Sequence, residues 1–138
     1  MLTSKLLHPQ ILHVLGGSGH GGKVLIADGN YPFNTRAHPA AERVYLNLSP
    51  GKLLVSDVLE TLISAIPIES VDVMTTDSGV EPEIYADFRS LLPYLTLRTA
   101  NRFAFYELCM DKDVALVVAT GDQRLYANIL ITIGVVKV

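Results

Sequence analysis

The chain has 138 residues, of which 49% are apolar and 18% charged, and its formal net charge is −3. These numbers fit one domain with a real buried core and exclude both a second core and a disordered chain. The slight acidity argues against a basic footprint for nucleic acid or an anionic membrane, and the single Cys109 excludes an intramolecular disulfide and any multi-cysteine metal site.

The start, Met1 to Pro9, holds no sustained apolar stretch and does not read as a signal peptide. No apolar run approaches the ~20 residues of a membrane span, so the expectation is a soluble, cytoplasmic domain over 1–138. Pro9 suits a first helical turn, and Leu7, Ile11, Leu12 and Leu15 recur at helical spacing until Gly16-Gly17 ends the helix. Val24-Leu25-Ile26-Ala27 is a short apolar run ending at Asp28 and predicts a buried strand. Gly29-Asn30-Tyr31-Pro32 is turn chemistry, and the polar stretch to Glu42 predicts a long loop, a common place for function.

Val44-Tyr45-Leu46 predicts a strand before the breaker Ser49-Pro50-Gly51. Leu54, Val58, Leu62 and Ile66 form one stripe of a helix within Leu53–Ile66, and Val71-Asp72-Val73-Met74 a further strand. Glu81-Pro82 opens a helix through Tyr85, Phe88 and Leu92 that Pro93 closes. Leu95 to Thr99 alternates as a strand does, and Asn101 is a suitable N-cap for a helix with Phe105, Leu108 and Cys109. Val114–Ala119 and Ile129–Val136 complete the strands. Such alternation predicts an α/β fold, a single-domain three-layer α/β/α sandwich around one central mixed sheet.

The cluster Gly16-Gly17-Ser18-Gly19-His20-Gly21-Gly22-Lys23 contains the spacing of a dinucleotide fingerprint and most of a phosphate loop. Both motifs require the order strand, loop, helix, because the helix N-terminus must face the phosphate. Here a helix precedes the glycines and a strand follows, so both fail on context. A flexible helix end accounts for the glycines but not for the histidine at their centre. Glycine neighbours leave His20 uncovered, whereas His8, His13 and His38 fit surface positions. Asp28 ends a buried strand, where open α/β sheets place ligand groups. A metal site from His20, Asp28 and His38 matches no ligand spacing. Tyr126 and Asn128 follow another buried strand and share a crevice with Asp28, or else pack and cap a turn. Arg102, Phe105 and Tyr106 lie within one helical turn of each other, which also describes an ordinary helix with a solvated rim.

Gly19-His20-Gly21, Ala27-Asp28-x-x-x-Pro32, Leu53-Leu54-Val55-Ser56-Asp57, Asn101 to Glu107 and Tyr126 to Leu130 occur in one order along nearly the whole chain. Together they resemble the fucose mutarotase and ribose pyranase family. The resemblance implies a cofactor-free, metal-free isomerase that interconverts the anomers or ring forms of a free monosaccharide. It also implies a ring-based homo-oligomer, commonly a decamer, with sites at subunit contacts. Carried over by motif, the catalytic positions are His20, Asp28 and Tyr126, and the substrate-binding positions are Arg102, Asn128 and Tyr106. Asn101-Arg102-Phe103-Ala104-Phe105-Tyr106-Glu107 resembles the fucose branch, whose ribose counterpart has histidine at the position of Arg102. L-Fucose is therefore the expected sugar, although Gly22 stands where the fucose branch often has an acidic residue. The rival expectations are ribose pyranase activity, a sugar-binding or transport-accessory protein without turnover, and a nucleotide-binding module.

Overall fold

Strands that are apolar on both faces demand cover on both sides, and this chain supplies it. The computed structural model describes residues 1–138. The elements are α1 (Pro9–Gly16), β1 (Lys23–Ala27), β2 (Glu42–Tyr45), α2 (Val55–Ile63), β3 (Ile68–Met74), α3 (Tyr85–Leu91), β4 (Leu97–Ala100), α4 (Arg102–Cys109), β5 (Val114–Ala119) and β6 (Ile129–Ile133). All six strands join one sheet in the order β2-β5-β1-β6-β3-β4. β5 runs parallel to β1 and β2, and β4 runs parallel to β3. β6 alone is antiparallel to its neighbours β1 and β3, which makes the sheet mixed, as the sequence predicts.

Alternation along the strands separates two cores. Val24, Ile26, Val71, Val73, Ile129 and Ile131 face α1, α2 and α3, where Ile11, Leu59, Leu62 and Phe88 pack. Leu25, Met74, Val117 and Leu130 face the other way, against Phe105, Tyr106 and Cys109 of α4. Part of this second outer layer is the long loop after β1, which buries Tyr31, Ala37 and Ala41. A loop in that position must satisfy its own carbonyls. Arg43 does this by donating to the carbonyl oxygens of Phe33, Ala37, His38 and Ala41 at 2.7–3.2 Å.

Most predicted boundaries move by a few residues, α3 beginning at Tyr85 rather than at Glu81-Pro82 and α2 ending at Ile63 rather than Ile66, and two of the shifts have a plain cause. The α2 stripe begins two residues late because Leu54 is extended (φ −84°, ψ 151°) and its N–H donates to the Asp57 carboxylate at 3.0 Å. β6 stops at Ile133 because β3 begins at Ile68, leaving no partner for Val135 and Val136, which are exposed.

The reversal of β6 decides where function gathers. Its first residues lie beside the last residues of β1, with Ile129 opposite Ile26. The carboxyl rim of the sheet thus carries Asp28, Met74, the start of α4 and the Tyr126–Asn128 turn, while the amino rim carries His20 and the start of β3.

Candidate active site

Asp28 is 3% exposed at the end of β1 and accepts three hydrogen bonds. Its Oδ1 takes the Asn30 N–H at 2.9 Å, and its Oδ2 takes the Ala127 N–H and Asn128 Nδ2, each at 3.1 Å. Asn128 answers by accepting the Asp28 backbone N–H at 2.9 Å through Oδ1. Burial pushes the Asp28 carboxyl above the usual carboxylate range; the three donors pull against that shift without cancelling it. Around this pair the chain turns sharply. Tyr126 has φ +62°, a left-handed conformation that costs a non-glycine residue ~1–2 kcal/mol. The bonds from Ala127 and Asn128 to Asp28, with the Asn128 N–H donating to the Tyr126 carbonyl at 2.8 Å, hold that turn, and Tyr126 is half-buried against the second core.

α4 brings the next group. Asn101 caps its N-terminus by accepting the Ala104 N–H at 2.9 Å, which sets Arg102 in the first turn. Arg102 Nε donates to the Tyr106 hydroxyl at 3.0 Å, and its guanidinium lies 5.5 Å from the Tyr106 ring centre. That bond also holds the guanidinium above its ordinary range, so it stays charged. Tyr31 meets Tyr106 edge to face at 5.4 Å and anchors its own hydroxyl on the Arg36 carbonyl at 2.7 Å.

Asp28, Tyr126, Arg102, Asn128 and Tyr106 therefore line one cavity of about 260 Å³, together with Asn30, Tyr31, Met74 and Leu125. The size is below the ~300–1,000 Å³ of pockets for drug-sized ligands and suits one small molecule. It offers the Arg102 terminal nitrogens and the Tyr106 and Tyr126 hydroxyls. Asn128, expected to contact a ligand through its amide, has both amide atoms committed to Asp28. Tyr31 and Met74 are additions that sequence did not single out: the first sits within turn chemistry and the second ends a strand.

His20 is the exception. It lies on the amino rim, one full strand away from Asp28, and its Nε2 sits 2.9 Å from Glu69 Oε2. No single chain brings His20 to the cavity. Nor does His38 approach, since its Nδ1 accepts the Ala40 N–H at 3.1 Å within its own loop. His20, Asp28 and His38, weighed above as metal ligands, do not converge within the chain.

A second polar cluster lies beside the cavity. Asp122, 1% exposed, accepts from the Val55 N–H at 3.0 Å and from Arg124 Nη2 at 2.8 Å, while Arg124 Nη1 reaches Asp87 at 2.7 Å. Burial opposes the Asp122 charge, but Arg124 outweighs it and holds the carboxyl below its usual range. The cluster ties the loop after β5 to the starts of α2 and α3. The partners lie 37 and 67 residues away in the chain.

The fold is shared with solved proteins. A fucose mutarotase from Streptococcus pneumoniae, solved in complex with L-fucose, is 25% identical with a TM-score of 0.83, over 99% of this chain and 100% of that one. RbsD of Bacillus subtilis, complexed with D-ribose, is 23% identical with a TM-score of 0.86 over the same shares. FucU from Bifidobacterium longum is 26% identical with a TM-score of 0.79, over 94% of this chain and 95% of that one. The model of the RbsD / FucU transport protein family matches residues 1–136. The chain belongs to the RbsD/FucU family.

Proposed function

We propose that the chain is a monosaccharide mutarotase that interconverts the anomers of a free sugar, with L-fucose as preferred substrate and no cofactor. The observation that carries this reading is the single cavity in which Asp28, Arg102, Tyr106, Tyr126 and Asn128 meet. Mutarotation needs a base to take the proton from the anomeric hydroxyl and an acid to protonate the ring oxygen as its bond to C1 breaks. The open aldehyde then turns about its bond to the next carbon, and the two groups exchange roles on closure, so nothing is consumed.

Tyr126 is one proton-transfer group, because its hydroxyl has no partner within the chain and a hydroxyl both donates and accepts. His20 of the partner subunit is the other, since an imidazole offers one nitrogen that accepts a proton and one that donates, and His20 lies too far from its own cavity. The site is thus completed in a homo-oligomer, in keeping with the decamer that the resemblance implies. Asp28 fixes the Tyr126 turn and Asn128 rather than reaching the sugar through free lone pairs. Arg102, a rigid donor with no acceptor, favours the hydroxyl pattern of fucose over that of ribose.

Saturation-transfer NMR on L-fucose and D-ribose tests the proposal. Faster transfer between L-fucose anomers than in buffer, exceeding that for ribose forms, is the expected outcome. Binding without any acceleration would make the protein a sugar-binding or transport-accessory protein instead, a role in line with the transport label of its family.

A further inference from the structure

β3 departs from regular pairing with β6 at one residue. Ile68 lies opposite Ile133 and Ser70 opposite Thr132, so Glu69 is the extra residue of a β-bulge. Bulges re-aim a side chain, and they recur beside active sites. This one turns the Glu69 carboxylate towards His20, whose Nε2 lies 2.9 Å from Oε2. Both partners are fixed to the same strand end. Gly21 N–H donates to the Ile133 carbonyl at 2.9 Å, Ile133 N–H donates to the Gly22 carbonyl at 2.8 Å, and Gly134 N–H donates to the Pro67 carbonyl at 2.8 Å. A Cβ at Gly134 would lie 3.1 Å from the Glu69 Cβ, so the two positions pack closely. The backbone of His20 and that of Glu69 are thus held in register by β6 although the two residues are 49 apart in sequence.

We propose that Glu69 is the positioning residue for His20. A carboxylate only accepts, so the proton on His20 must reside on Nε2, and Nδ1, which has no hydrogen bond within the chain, is the nitrogen left to take a proton from substrate. This inference rests on the role given to His20 in the proposed mutarotation.

The test uses the full-length assembled protein, with long-range 15N NMR of the histidine rings alongside L-fucose exchange. The parent should show His20 with Nε2 protonated and Nδ1 bare. In Glu69→Gln the signals should move towards a mixture of both tautomers, and exchange should fall about tenfold, the low end for a hydrogen bond to a charged group because both side chains are partly exposed. Glu69→Asp, which keeps the charge but shortens the arm, should fall between the two. Unchanged melting temperature in Glu69→Gln excludes a folding defect. A parent His20 carrying its proton on Nδ1, or a Glu69→Gln protein with parental tautomer and rate, would overturn the proposal. Should His20→Ala exchange sugar at the parental rate while Glu69→Gln still shifts the tautomer, the hydrogen bond is real but the catalytic reading of His20 fails, and the role of Glu69 in the reaction fails with it.

Discussion

The two rims of the sheet solve different problems with similar residues. At the carboxyl rim Asp28 is 3% exposed and takes three hydrogen bonds, two of them from a turn in left-handed conformation. At the amino rim His20 and Glu69 form one pair, with side chains 60% and 43% exposed. The first arrangement is rigid and costly to disturb; the second contributes little to folding and leaves a ring nitrogen free. A group that shapes a cavity has to be buried and saturated, whereas a group that exchanges protons has to stay reachable and incompletely bonded. Under the proposed mutarotation the two rims divide the labour, and substitutions should separate stability from activity along that division.

The largest expected effect lies beside the cavity. Arg124→Ala leaves the Asp122 carboxylate buried without its counter-charge, and urea unfolding should register a loss of ~3–5 kcal/mol. Asp28→Ala should cost less, ~2–3 kcal/mol, since it strips acceptors from Ala127, Asn30 and Asn128 but leaves no charge behind. L-Fucose exchange should vanish with the Tyr126 turn. His20→Ala should cost no more than ~0.5 kcal/mol and yet abolish exchange. Equal stability losses at Asp28 and His20 would break the comparison. Arg102→His should leave the fold intact and slow fucose exchange about tenfold, the effect of losing one charged donor, while sparing ribose.

Acid titration sharpens the contrast within the carboxyl rim. The folded state holds the Asp28 proton more tightly than the unfolded chain does, because burial raises its carboxyl above 3.8. Its contribution to stability is complete below pH 3.8 and is lost as pH rises through the raised value. Asp122 behaves oppositely: Arg124 lowers its carboxyl below 3.8, so its contribution is complete above that pH and is lost as pH falls through the lower value. Carboxyl-carbon NMR titration should place Asp28 above and Asp122 below the ordinary aspartate midpoint.

Local chemistry made much of this legible beforehand. The apolar run Val114–Ala119 is a strand over its whole predicted length, and Asn101 caps the helix it was expected to cap. Asp28, Tyr126 and Asn128 declared themselves by following buried strands. What sequence hid depends on distant partners. The reversal of β6 sets which residues share a rim, and no spacing along the chain encodes it. Glu69 precedes the strand predicted over Val71–Met74, so nothing marks it as a bulge, and the Asp122–Arg124–Asp87 brace joins two segments 37 residues apart. His20 stood out through its glycines, but its separation from Asp28 follows only from the length of β1 between them.

Subunit mixing tests most directly whether the two rims of neighbouring copies form one site. His20→Ala and Tyr126→Phe proteins, each expected to be inactive alone, are unfolded together, refolded together and assayed for L-fucose exchange. If His20 of one copy serves the cavity of another, random co-assembly restores activity at about a quarter of the sites. No recovery from a mixture that co-assembles would contradict a shared site, because every chain then carries a defect in its own.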